Sequence, residues 1–116
     1  MTDARTMEIA DSLEITGMHY PFSRRRLRGA PGWRSVWVDG RIAGHRFSAQ
    51  VFPEHAELPD YELGESRISR LWLRRLDDRA VVANFDRGWD VKPADETAQA
   101  IVDFLAAGIA THVYGD

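Results

Sequence analysis

The chain has 116 residues, of which 44% are hydrophobic and 28% are charged, and its formal net charge is −3. This length is typical of one domain, and the composition excludes a disordered tail, a collagen-like chain and a simple coiled coil. Because the sequence contains no cysteine, it also excludes disulfide bonds, thiol nucleophiles and thiolate zinc sites.

Charge is distributed unevenly along the chain. Arginines cluster at residues 24–28 and again at 67–79, and the stretch 54–65 between them is acidic. The negative overall charge argues against a dedicated duplex-DNA binder, because neutralising phosphates supplies much of the affinity of such proteins. Arginine is instead suited to planar, bidentate or stacked recognition.

Residues 1–32 are predicted to form an irregular N-terminal extension, followed by a single domain at 33–116. Residues 7–15 fit a short helix and a strand equally well, because their apolar positions do not settle the period. Proline and glycine surround the first arginine cluster, which predicts a loop at 20–32. The start of the chain lacks a basic segment followed by an apolar one, so we expect a cytoplasmic protein without a membrane span.

Two hairpins are predicted next. Residues 33–38 are aromatic and β-branched, and Asp39-Gly40 follows them as a type I′ turn signal. The return strand is predicted at 41–52, where alternation gives a core face of Ala43, His45, Phe47, Ala49 and Val51. In a third strand, at 67–76, Leu71 and Leu73 fall on one face and the other face carries Arg70, Trp72 and Arg74. In a fourth, at 80–85, one face carries Val81, Ala83 and Phe85.

The C-terminal third predicts one amphipathic helix. Pro93 suits its first turn, and Asp95 and Glu96 suit its positive end. An apolar stripe follows at helical spacing, namely Ala98, Ile101, Val102, Leu105 and Ile109. Gly108 is a candidate end, although the residues after it can extend the helix. The predicted fold is therefore α+β: an antiparallel sheet of about four strands with this helix packed on one face.

The uncovered face of such a sheet is the candidate partner-binding surface. It would carry Trp72 with Arg70 and Arg74, joined by Arg34 and Arg46 depending on the strand order. Tryptophan and arginine are typical of protein-binding hot spots, and they also suit the stacking of single-stranded bases. The alternative is that Trp72 packs against the first twenty residues, with the arginine stems covering it.

The segment from Phe85 to Asp90 is the densest cluster of chemically capable side chains. Asp86 and Asp90 could act as an acid/base pair or as metal carboxylates. No third ligand lies at a telling spacing, and the competing interpretation is a strand-to-helix junction. In that interpretation Gly88 has an unusual φ, Trp89 plugs the core and Arg87 pairs with an aspartate. We expect no catalytic residue, no metal and no cofactor.

Two stretches resemble a small domain of unknown function that occurs in bacterial and phage-borne proteins. They are Arg67-Ile68-Ser69-x-Leu71-Trp72 and Asp86-Arg87-Gly88-Trp89-Asp90, within a likeness that spans about residues 33–107. The resemblance implies a compact stand-alone domain and a mobile-element setting. It brings no established activity and no catalytic residues.

Three functional hypotheses follow. The leading one is a small non-enzymatic binding module that acts on another protein, which in a viral setting would be an inhibitor of a host defence complex. The second is a single-stranded RNA or DNA binder that uses the same sheet face. The third is a small metal-dependent enzyme that uses Asp86 and Asp90. An exposed sheet edge or face is also compatible with a homodimer.

Overall fold

A computed structural model describes residues 4–19 and 35–115 of the chain. The predicted loop at 20–32 and Arg34 lie outside these residues. The regular elements, in chain order, are α1 (Ala4–Ser12), β1 (Glu14–His19), β2 (Val36–Ile42), β3 (His45–Val51), a short 3₁₀ helix (Pro59–Tyr61), β4 (Ile68–Arg75), β5 (Val81–Asp86), β6 (Trp89–Val91) and α2 (Glu96–Tyr114).

Within the described residues the strands form one antiparallel sheet of six, in the order β1 to β6, each beside its sequence neighbour. The α+β class and the C-terminal helix are confirmed, whereas the expectation of about four strands is wrong. The first missed strand, β1, lies in the segment predicted to be irregular; a register shift between Ile15 and Gly17 breaks its alternation. The second, β6, has only three residues.

The first hairpin turns later than predicted. Asp39 and Gly40 lie inside β2, and the turn is at Ala43-Gly44, whose φ angles are 48° and 73°. Gly40 is needed for a close approach: a Cβ there would lie 2.5 Å from the carbonyl oxygen of Glu14 and 2.7 Å from the Phe47 ring. The predicted turn at Asp39-Gly40 is therefore wrong, because Gly40 allows close packing between strands and does not form a turn.

The predicted faces hold for β4 and fail in part for β5. Leu71 and Leu73 are buried, and the residues that alternate with them, Arg70, Trp72 and Arg74, are half-buried on the other face. A register shift between Leu73 and Arg74 places Val81 opposite Arg74, so Val81 is 41% exposed and not a core residue. The sequence pattern of β5 does not reveal this bulge.

The C-terminal helix follows its predicted stripe, and all five stripe residues are buried. Asp95 is its N-cap, accepting a hydrogen bond from the Ala98 amide at 2.7 Å. Pro93 therefore precedes the cap and does not lie in the first turn. The helix continues through Gly108 and ends at Tyr114. Gly115 follows as the C-cap in the left-handed conformation, with φ 76°.

Both helices lie on the same side of the sheet. Ile9 of α1 is 3% exposed and joins the core that α2 forms with the sheet, around Phe47, Leu71 and Leu105. The helix α1 packs against α2 and β2. The chain therefore builds one core on one face of the sheet, called the inner face below.

Candidate binding surface

The opposite face, called the outer face below, carries the side chains that alternate with the core positions of β1 to β5. The strand register aligns these side chains into rows that run across the strands. The paired row is His19, Trp37, Gln50, Arg70 and Asp86. The central row is Asp39, Ser48, Trp72 and Asn84. The arginine row is Arg41, Arg46 and Arg74.

Three members of the paired row, Gln50, Arg70 and Asp86, are connected by hydrogen bonds. Arg70 donates from Nε to Asp86 Oδ1 at 2.8 Å and from Nη1 to Gln50 Oε1 at 3.1 Å. Gln50 in turn donates to the hydroxyl of Ser35 at 3.0 Å. Because Arg70 and Asp86 are both partly exposed, their ion pair adds little stability, but it neutralises the charge of Arg70 within the sheet.

The central row brings Trp72 into the middle of the outer face. The Trp72 side chain is half-buried, and the guanidinium carbon of Arg74 lies 5.4 Å from its ring centroid. This cation–π contact occupies one face of the indole. Ser48 donates to a carboxylate oxygen of Asp39, whose other oxygen is 3.6 Å from Nδ1 of His19. Polar groups in this row therefore mostly serve one another.

The arginine row is the exception. Arg41 lies directly opposite Arg46, and Arg46 directly opposite Arg74. Arg41 and Arg46 are exposed, whereas Arg74 is half-buried and its Nε is buried without a hydrogen-bond partner. Among residues 4–19 and 35–115, no carboxylate forms an ion pair with any of the three. Like charges directly opposite in a sheet destabilise it, so the row costs stability.

Four of the five predicted site residues lie on this face: Arg46, Arg70, Trp72 and Arg74. Arg34 lies outside the described residues, and the binding role of all five stays a prediction. Sequence reasoning missed Arg41 and Trp37. The predicted turn at Asp39-Gly40 puts Arg41 and Arg46 on the same strand. The actual turn at Ala43-Gly44 puts them on neighbouring strands, directly opposite each other.

The N-terminal segment, where described, does not follow the alternative prediction for Trp72. Residues 4–12 pack on the inner side as α1, and residues 14–19 extend the sheet at its edge as β1. The cover that Trp72 does have in the described residues includes the guanidinium of Arg74. The alternative also predicted that arginine stems cover the tryptophan; the contact seen here is made by the guanidinium of Arg74.

The segment around Asp86 and Asp90 forms a hairpin turn and not a strand-to-helix junction. Asp86 is the last residue of β5 and forms an ion pair with Arg70, and Asp90 is exposed in β6. Gly88 has the expected unusual φ, 147°, and Trp89 packs edge-on against Phe85 with centroids 5.2 Å apart. Arg87 lies over the Tyr61 ring, 5.7 Å from its centroid, and not beside an aspartate as expected.

A loop at residues 53–67, called the acidic loop below, is organised around Glu62. The Glu62 side chain is 4% exposed. Its carboxylate accepts hydrogen bonds from Nδ1 of His55 at 2.7 Å, from the Ala56 amide at 2.6 Å and from the Arg67 amide at 3.0 Å. Burial raises the pKa of Glu62, but these hydrogen bonds outweigh burial and hold the pKa below its usual value.

A cleft of about 200 Å³ lies beside the acidic loop. It is lined by residues of the loop and of the adjoining strand ends, including Phe52, His55, Glu62 and Ser69. Arg67, also in its wall, donates from Nη1 to the carbonyl of Pro53 at 3.0 Å and so ties the two ends of the loop together. The polar groups of this cleft are used to hold the loop in shape.

In the part of the chain that the structure describes, no three His, Asp or Glu side chains are grouped closely enough to hold a metal ion. No helix of the same residues is both long and apolar enough to cross a membrane. The metal-dependent hypothesis for Asp86 and Asp90 stays a prediction.

Comparison with known proteins places the chain in a family without revealing an activity. Searches of curated proteins and of solved structures find no significant match to this sequence. The family model described as "Domain of unknown function (DUF7678)" matches residues 36–110, from the start of β2 into the last turns of α2. The chain therefore belongs to the DUF7678 family of domains of unknown function.

Proposed function

We propose that this protein is a non-enzymatic binding module that holds another protein against its outer face. The observation that carries the proposal is the position of Trp72: it is half-buried in the middle of a sheet face, under Arg74, while both described helices pack on the inner face. Tryptophan and arginine are the side chains most enriched among residues that dominate protein interfaces. An antiparallel sheet can keep such a face open to solvent.

A second candidate is a binder of single-stranded RNA or DNA on the same face, favoured by the arginine row beside an aromatic ring. Two features make it the weaker candidate. Arg74 already covers one face of the Trp72 indole, which a base would need for stacking. Asp39 is a carboxylate on the same face and would repel a phosphate backbone that crosses it.

The proposal is tested by affinity capture with mass spectrometry, using the wild type, Trp72→Ala and Tyr61→Ala as baits. Tyr61 is the matched control, because it is an aromatic residue that is 45% exposed and lies in the acidic loop, outside the strands that form the outer face. We expect specific partners to be lost with Trp72→Ala and kept with Tyr61→Ala, with both variants folded by circular dichroism. Retention of every wild-type partner by Trp72→Ala would overturn the proposal.

The finer form of the proposal concerns the setting. We propose a cytoplasmic protein of a bacterium, encoded by a phage or mobile element and inhibiting a host defence complex. This form is supported by the resemblance carried by the Arg67–Trp72 and Asp86–Asp90 stretches and by the charge segregation of the chain. It is tested by the gene neighbourhood and by assaying phage growth in cells that express the protein. Equal growth with and without the protein would count against it.

A further inference from the structure

The arginine row departs from how the same sheet handles charge elsewhere. One arginine of β4, Arg70, is paired with Asp86 across the neighbouring strand. The next arginine on the outer face of β4, Arg74, lies opposite Arg46 instead, and Arg46 lies opposite Arg41. Neighbouring strands are about 4.8 Å apart, so the three Cα positions span roughly 10 Å. Arrangements that oppose the stability of a fold are concentrated at functional sites.

We propose that the arginine row binds a short acidic segment of the partner protein, with its carboxylates lying across β2, β3 and β4. This inference rests on the proposed function. Guanidinium groups bind carboxylates in bidentate pairs, which are stronger than neutral hydrogen bonds. In an extended segment alternate side chains are about 7 Å apart, so two carboxylates on alternate residues fit within the row.

The boundaries of the row favour a short polypeptide segment over a polyphosphate chain. Glu14 lies opposite Arg41 at one end, and Val81 lies opposite Arg74 at the other. Asp39 lies in the adjacent row. A phosphate chain that continued past the row toward β1 would meet these carboxylates, whereas a segment with two or three acidic residues ends within it. Val81, which is 41% exposed, supplies apolar contact for its uncharged side chains.

The direct test measures fluorescence anisotropy with two probes: a labelled peptide of alternating glutamate and valine, and a labelled oligothymidylate of equal charge. The proteins are the wild type, Arg46→Glu and Lys92→Glu. Lys92 is exposed beyond β6, so its reversal matches the charge change of Arg46→Glu without touching the row. We expect the peptide to bind the wild type, Arg46→Glu to weaken it at least about tenfold, and Lys92→Glu to change it less than about twofold.

Three outcomes of the binding measurement would overturn the inference: equal peptide affinity for Arg46→Glu and the wild type, no binding of the peptide to the wild type at low salt, or tighter binding of the oligothymidylate than of the peptide. Light scattering that shows a dimer dissociated by Arg46→Glu would also overturn it, because the row would then belong to an interface between two copies. Arg46→Gln repeats the measurement without charge reversal.

The capture experiment separates this inference from the proposed function. If Trp72→Ala loses the partner and Arg46→Glu keeps it, the outer face binds a protein but the arginine row does not read its acidic residues. If both variants keep every partner, the proposed function itself fails. Loss of the same partner with both variants supports both.

Discussion

The acidic loop and the arginine row use charge in opposite ways. In the loop, one buried carboxylate, Glu62, accepts hydrogen bonds from three donors, one of which is Nδ1 of His55. In the row, three arginines lie opposite one another on neighbouring strands, and no described carboxylate forms an ion pair with them. The charge of Glu62 shapes the fold and is surrounded by donors, whereas Arg41 and Arg46 are exposed, have no ion pair with a described carboxylate, and are available to another molecule.

The comparison has an energetic consequence. A buried carboxylate must keep its partners, because each donor left without an acceptor costs about 1–3 kcal/mol. Replacing an exposed arginine should change the free energy of unfolding little, since exposed ion pairs contribute roughly 0–1 kcal/mol. Substitutions in the two regions should therefore separate folding from binding: large losses of stability in the loop, and small changes in the row.

The largest expected effect is at Glu62. Glu62→Gln keeps the shape of the side chain but removes the charge and turns an acceptor into a donor facing amide donors. We expect the free energy of unfolding to fall by about 3 kcal/mol, measured by chemical denaturation. The control is Glu65→Gln, an exposed site in the same loop with the same charge change, which should stay within about 0.5 kcal/mol. Equal losses from the two variants would contradict the role assigned to Glu62.

Lowering the pH should reduce the difference in free energy of unfolding between the wild type and Glu62→Gln. Because the folded pKa of Glu62 is below its unfolded value, its stabilisation is complete above the unfolded pKa and is lost as pH falls through the folded pKa. We expect the stability gap between the wild type and Glu62→Gln to narrow from roughly pH 5 downward. The pKa values of Asp78 and Asp95 are also lowered, but both variants contain them, so their contribution cancels. A stability difference that stays constant until the protein unfolds in acid would contradict the lowered pKa of Glu62.

Much of the fold could be predicted from local patterns. The helix α2 was predictable from its apolar stripe and from Asp95 at its start, and the faces of β4 were predictable from simple alternation. What could not be predicted depends on contacts between distant residues. Gly40 resembles a turn residue until the Phe47 ring and the Glu14 carbonyl are seen against it, and Val81 resembles a core residue until the bulge is known.

The candidate site was predictable in its residues and not in its electrostatics. Alternation alone places Arg70, Trp72 and Arg74 on one face. Only the register shows that Arg70 meets Asp86 while Arg74 meets Arg46, because one residue of slippage exchanges every cross-strand partner. The sequence contains the arginines, but their state of pairing is a property of the sheet.

The smallest expected effect concerns the cost of the unpaired row. Arg46 has an arginine on each side, so Arg46→Gln removes two repulsive contacts while keeping a long polar side chain. We expect the free energy of unfolding to rise by about 0.5 kcal/mol at low ionic strength, and the gain to shrink at about 1 M salt, where the screening length is roughly 3 Å. Lys92→Gln, with the same change in net charge away from the row, should give no such salt-dependent gain. If Arg46→Gln destabilises the protein instead, then Arg46 contributes to folding through its stem, and the division between structural charge and binding charge does not hold at the centre of the row.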